Sequence, residues 1–207
     1  MKLADMTVTE YSKALASSSP APGGGSAAAL MGAQGAGLLA MVAQMSKGKK
    51  KFLDYTSLYE EVIAGCEPLV DQLVSQIDTD TEAYNKVSSA FKLPKQTEEE
   101  IAARKQAIKE ASLYAAKVPF ETMSLCRAGL EQAVSLAEHF NTNCASDLGV
   151  GVMNLKDGMR GAWMNVRINL IGMEDEEASQ LLCSGKEMMA WAEDTASSLL
   201  EKVEGYL

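Results

Sequence analysis

The sequence predicts an all-α fold, a single-domain helical bundle with long, partly kinked helices. Three observations carry that prediction. Apolar residues recur at three- and four-residue spacing along nearly the whole chain, and no segment alternates as a half-buried strand does. The composition is rich in Ala, Leu and Met while aromatics make up only 6% of the 207 residues, a balance that favours helices over sheets. Capping residues and breakers punctuate the chain at short intervals, with no linker and no internal repeat, so residues 1–207 read as one domain. Apolar residues at 47% and charged residues at 23% are ordinary for a globular chain of this length.

The elements follow in order. Thr7-x-x-Glu10 is a capping-box pattern that opens a short helix ending near Ser17. Pro20-Ala-Pro-Gly-Gly-Gly-Ser26 is a stiff loop, and Ser26 stands where the N-cap of a second helix belongs, closing around Lys47-Gly48. A long helical stretch follows from Phe52 to Phe91, in which Pro68 should kink or split the helix. Leu93-Pro94 breaks the pattern, and Thr97-x-x-Glu100 is a second capping box for a helix running to about Lys117. Pro119 should force a new start, giving a helix over 120–139. A turn at Asn141–Ser146 leads into a glycine-containing helix from Ser146 or Asp147 to Ile171. Glu174-Asp-Glu-Glu177 suits the first turn of a last helix ending near Glu204.

The second helix is unusual in content. From Ala27 to Met45 no residue is charged, so the segment has the length of a membrane span. Its three glycines, two glutamines and many alanines make it only weakly apolar, and the loop before it is no secretory signal. It reads as the central helix of a soluble, cytoplasmic bundle, its small side chains allowing close helix contact. The glycines before it let a ligand approach the main chain, and the helix start offers free N–H groups to an anion. A plain packing turn explains the same residues.

Several function classes are excluded. A net charge of −9 argues against nucleic-acid binding. Cys66, Cys126, Cys144 and Cys183 form no CxxC pair and His139 is the only histidine, so neither a metal site nor a Ser/His/Asp triad can be assembled; buried thiols in a reducing cytoplasm fit instead. No P-loop follows Gly23–Ser26. Carboxylates and amides remain. In Asp78-Thr-Asp80-Thr-Glu82, Asp78 and Glu82 share one helix face while Asp80 shares another with Tyr84 and Val87. Such a carboxylate serves either as a general acid/base or as part of a solvated acidic face. Asn165 and Asn169 lie four apart on an otherwise apolar helix, placed to hydrogen-bond a heterocycle or to satisfy nearby backbone. Lys47–Lys51, Lys95 and Arg104 are candidate anchors for an anionic tail in an acidic protein; for the first group, interaction with the helix dipole is the simpler account.

Five of these segments, in this order, resemble the cyclodeaminase/cyclohydrolase family of folate enzymes: Pro22-Gly-Gly-Gly-Ser26 before an Ala/Gly helix, Asp80-x-Glu-Ala-Tyr84, Lys92-Leu-Pro-Lys95 before Thr97, Ser146-Asp-Leu148, and Asn165-Val-x-Ile-Asn-Leu170. The family comprises the C-terminal half of formiminotransferase-cyclodeaminase and stand-alone methenyltetrahydrofolate cyclohydrolases, and the chain is similar to the stand-alone form. The resemblance implies an all-helical homodimer acting on tetrahydrofolate one-carbon derivatives, polyglutamated ones included, without a metal or redox cofactor. It implies cyclodeamination of N5-formiminotetrahydrofolate first, and hydration of 5,10-methenyltetrahydrofolate as the alternative; a non-catalytic helical interaction protein is the remaining reading. By position it makes Asp80 the acid/base, although the family commonly has Phe where this chain has Tyr84. It lines the folate pocket with Gly23, Gly24, Gly25 and Ser26. Asn165 and Asn169 are then expected to hold the pterin or the reacting nitrogens, and Lys49, Lys95 and Arg104 to meet the glutamate tail.

Overall fold

The computed structural model describes residues 2–207, and among these every regular element is helical. A single 3₁₀ turn at Leu3–Asp5 precedes α1 (Val8–Leu15), and both halves of the Thr7/Glu10 capping box are made. The helix α2 (Gly24–Ser46) is followed by a 3₁₀ segment at Lys50–Tyr55 and by α3 (Thr56–Phe91). The second capping box, Thr97/Glu100, opens α4 (Glu98–Leu136). A 3₁₀ turn at Thr142–Cys144 leads into α5 (Ala145–Asn169), and the Asp175 side chain caps α6 (Glu176–Glu204).

At the centre lies α2, in contact with α3, α4 and α5, while α6 packs on α4 and α5. By length and composition α2 could cross a membrane, but in the fold it is the core helix, with Ala29, Ala36, Leu39, Val42 and Ala43 wholly buried. Its small residues let it approach α5 backbone to backbone. A Cβ on Gly158 would stand 2.9 Å from both the Ala28 carbonyl and the Gly32 nitrogen, and one on Gly35 only 2.8 Å from the Gly151 carbonyl. Larger side chains fill the remaining core, among them Leu73, Met123, Leu130, Leu155 and Met159.

Neither proline splits its helix. The helix α3 is not split at Pro68, and α4 runs through Pro119 without interruption. A proline inside a helix leaves the carbonyl four residues earlier without its N–H partner. For Pro119 that carbonyl belongs to Ala115, and the Asn169 side chain donates to it at 2.9 Å. A side chain from α5 thus supplies the bond that the proline removes. The start of α2 differs as well: Gly23 is its N-cap and Ser26 lies inside the first turn. Three cysteines are buried as expected, with the Cys66 and Cys126 thiols pushed up to about 12 by burial, but Cys183 is exposed. His139 stacks face to face on Tyr55.

Candidate active site

Ser26, not being a cap, turns its polar groups toward α3. Its backbone N–H donates to Asp80 Oδ2 at 3.0 Å, so a carboxylate from another helix does the work of the missing cap side chain. Its hydroxyl lies 2.9 Å from the Ile77 carbonyl and 3.1 Å from the same Oδ2. The hydroxyl has one hydrogen. With Asp80 ionised, that hydrogen is drawn to Oδ2; with Asp80 protonated, Ser26 can serve Ile77 while receiving a bond from the acid. Ser26 is fully buried, so this exchange is shielded from water. Burial holds the Asp80 carboxyl above the ordinary carboxylate range, partly offset by the Ser26 hydroxyl and amide, which favour the anion.

The other oxygen, Oδ1, lies directly over Gly25. A Cβ on that residue would fall 2.0 Å from it, so only glycine fits here. Gly24 faces Asn165, whose Nδ2 would stand 3.3 Å from a Cβ at that position. Around this point is a cavity of about 330 Å³. Gly23, Gly24 and Gly25 form one wall, Asp80, Thr81, Tyr84 and Val87 of α3 a second, and Asn165, Ile168 and Asn169 of α5 a third. Among the lining residues Asp80 is the only carboxylate, and none is a lysine or arginine.

The structure also separates Asp80 from its neighbour. Asp78 accepts the N–H of Leu3 at 2.7 Å and of Ala4 at 3.4 Å, fastening the start of the chain to α3. Asp78 is absent from the cavity wall and Asp80 is on it. Both amides of the α5 pair are partly committed to backbone: Asn165 donates to the Gly161 carbonyl, and Asn169 to the carbonyls of Asn165 and Ala115, each at 2.9 Å. Asn169 therefore uses both amide hydrogens and presents Oδ1 as an acceptor.

The three cations are not gathered at the cavity. Lys49 lies beyond the C-terminal end of α2, a helix of 23 residues, which puts it roughly 35 Å from the glycine loop. Arg104 donates Nε and Nη2 to the Phe91 carbonyl and lies over the Phe91 ring, closing the end of α3. Lys95 is in the exposed connection between α3 and α4. Thr81 and Ile168 are wall residues that sequence reasoning missed. Thr81 follows Asp80 directly, and Ile168 sits three after Asn165, an exposed apolar residue whose place at the cavity is set by the packing of α5.

A family model described as formiminotransferase-cyclodeaminase matches residues 7–187. The chain belongs to that family. Within it, a methenyltetrahydrofolate cyclohydrolase of Methylorubrum extorquens is 41% identical over 82% of this chain and 81% of its own length. The formimidoyltransferase-cyclodeaminase of Gallus gallus is 37% identical over 94% of this chain, which spans only 37% of that longer protein. Among solved structures, the formiminotetrahydrofolate cyclodeaminase of Thermotoga maritima superposes with a TM-score of 0.82 at 25% identity, covering 100% of this chain and 98% of its own. These relatives confirm an enzyme of folate one-carbon chemistry and an all-α fold; cyclodeaminase and cyclohydrolase names both occur among them.

Proposed function

We propose that the chain is a methenyltetrahydrofolate cyclohydrolase, with Asp80 as its acid/base. The observation that carries the chemistry is Asp80 itself: one oxygen is held by Ser26 and the other is free over Gly25 at the cavity wall. What supports hydration over the cyclodeamination expected first is the 41% relative of matching length. The methenyl carbon bears a positive charge shared with N5 and N10. A carboxyl raised by burial is drawn back to its anion when that cation binds beside it, and regains its affinity for a proton as attack by water discharges the cation. Asp80 takes a proton from the attacking water as the C–O bond forms, giving a neutral tetrahedral carbon between the two nitrogens. Asp80 returns that proton to N5 as the C–N5 bond breaks; the hydroxyl proton is lost as the formyl C=O forms, so one proton is released per turnover. Neither step changes an oxidation state, so the reaction calls for no redox cofactor.

At about 330 Å³ the cavity is at the small end of ligand sites, a size for the pterin and its bridge, with the glutamate tail outside. The glycine loop packs on the ligand, and Asn169 Oδ1 accepts from a pterin N–H. Lys95, fifteen residues along the chain from Asp80 and off the cavity wall, would meet only a long or polyglutamated tail rather than the ring, and Arg104 is engaged with the Phe91 carbonyl. Cyclodeamination remains a second reading because the Thermotoga maritima neighbour carries that name; there Asp80 would move the N10 proton to the departing ammonia.

Methenyltetrahydrofolate absorbs in the near ultraviolet, and one assay decides. Enzyme-dependent decay of that band, lost in a folded Asp80→Asn variant, is the expected result. Growth of the band from formiminotetrahydrofolate would transfer the assignment to the cyclodeaminase, and no change with either substrate would remove both. We also expect a cytoplasmic homodimer, since Met164, Ile168 and Ile171 expose an apolar edge beside the cavity; sedimentation at one chain mass would refute the dimer.

A further inference from the structure

The Ser26–Asp80 contact has a rear side that the cavity does not reach. There α1 and the turn before it lie against α2 and α3. Tyr11, only 7% exposed, packs with Ala29 and Ile77 in a small apolar cluster joined by Leu3, Met6 and Leu30. Ala29 is one helical turn beyond Ser26, and Ile77 is one turn before Asp80, so the ring sits behind the point where the two helices exchange their hydrogen bonds. Tyr11 is not part of the cavity wall. Its hydroxyl is buried and has no hydrogen-bond partner among the described residues. Asp78 fixes the segment from the other end through the Leu3 and Ala4 amides.

We propose that Tyr11, held in place by the Asp78-fastened N-terminal segment, is a positioning residue that keeps water from the rear of Asp80, so that this carboxyl meets solvent only through the cavity. The hydroxyl makes no hydrogen bond, so the contribution of this position is its ring, packed on Ala29 and Ile77. The electrostatics agree with the placement: burial raises the Tyr11 hydroxyl first, and the charge of Asp80 raises it further, which requires the two groups to be near one another. The groups that face Asp80 can be named by element. Tyr11 comes from α1, the Ser26 hydroxyl and amide from α2, Thr81 and Tyr84 from α3, Ala115 from α4, and Asn165 and Asn169 from α5. None of these is a cation or a second carboxylate. Exclusion of water is therefore the chief influence that keeps the Asp80 proton in place, and whatever seals the rear controls it.

The proposal predicts how the titration of Asp80 responds when the seal is opened. Selective ¹³C-carboxyl labelling of aspartate, with the Asp80 signal assigned by its loss in Asp80→Asn, reads that titration directly in the intact protein. Tyr11→Ala should lower the midpoint by about one pH unit, a tenfold loss of protonated carboxyl above it. Tyr11→Phe keeps the ring and should leave the midpoint in place. Asp78→Ala, which releases the segment without touching the cavity, should shift it in the same direction as Tyr11→Ala and carries the test if Tyr11→Ala does not fold. A folded Tyr11→Ala or Asp78→Ala protein with an unmoved midpoint overturns the proposal. So does a Tyr11→Phe shift equal to that of Tyr11→Ala, because the hydroxyl and not the seal would then be responsible. The consequence for turnover rests on the folate reading: the pH profile of kcat should move with the midpoint while KM stays constant. The carboxyl titration itself needs no substrate, so failure of that reading leaves this test intact.

Discussion

Two nearby carboxylates of one helix have been given unrelated tasks by geometry. Asp78 and Asp80 are separated by a single threonine, yet one secures the start of the chain and the other borders the cavity. Charge and propensity do not distinguish them; the direction of the side chain from α3 does. The glycine opposite is equally constrained. Replacing Gly25 by Ala would drive a Cβ into Asp80 Oδ1, and the carboxyl must swing away from its free position. Because displacement of a reacting group by about 1 Å costs on the order of 100-fold in rate, Gly25→Ala should lose about 100-fold in kcat with its helical content unchanged by circular dichroism. A Gly25→Ala enzyme of near-normal kcat would show that Asp80 is not the group that reacts. Ser26→Ala acts more gently. It removes the hydroxyl that favours the Asp80 anion, so the acidic limb of the pH–rate profile, set by ionisation of the base, should move to higher pH.

At the scale of elements, Pro119 and Asn169 form a pair. Asn169→Ala would leave the Ala115 carbonyl without its donor, at a cost of about 1–3 kcal/mol in chemical denaturation. In a Pro119→Ala background the helix restores its own N–H to that carbonyl, and the same substitution should cost at least about 1 kcal/mol less. Equal losses in the two backgrounds would mean that the Asn169 bond does not compensate the proline. This pair also marks where the sequence stopped being legible. Both capping boxes, the α2 core helix and the end of α3 could be read directly, because they depend on residues close together in the chain. The continuity of α4 could not be, since it is secured by a side chain more than fifty residues away. The start of α2 was misread for the same reason: its cap is provided by Asp80, and Ser26 is freed to face α3. The cavity was legible through its loop, its carboxylate and its amide pair. Its third wall residue from α5, Ile168, and the true employment of Arg104 at the end of α3 depend on packing that local pattern does not encode.

For the molecule as a whole, the raised carboxyl sets a cost on stability. A group that binds its proton more tightly when folded contributes stability that is complete below the ordinary carboxylate range and is lost as pH rises through its folded value. Asp80 is such a group. Asp80→Asn should therefore melt higher than the parent at pH 8, with the difference shrinking toward pH 4, while abolishing turnover. Calorimetry at the two pH values checks the sign, and a variant less stable at pH 8 than at pH 4, relative to the parent, would contradict it. The bundle tolerates this cost because the rest of its core is apolar and closely packed, with α2 against α5 at backbone distance.

The bond from Asn169 to the Ala115 carbonyl has a further consequence for how this sequence can change. A chain that lost the asparagine first would pass through an intermediate with an unmet carbonyl in its longest helix. A chain that lost the proline first would not. The order of the two substitutions is therefore biased by physics, and descendants that dispense with the asparagine are expected to have shed the proline beforehand.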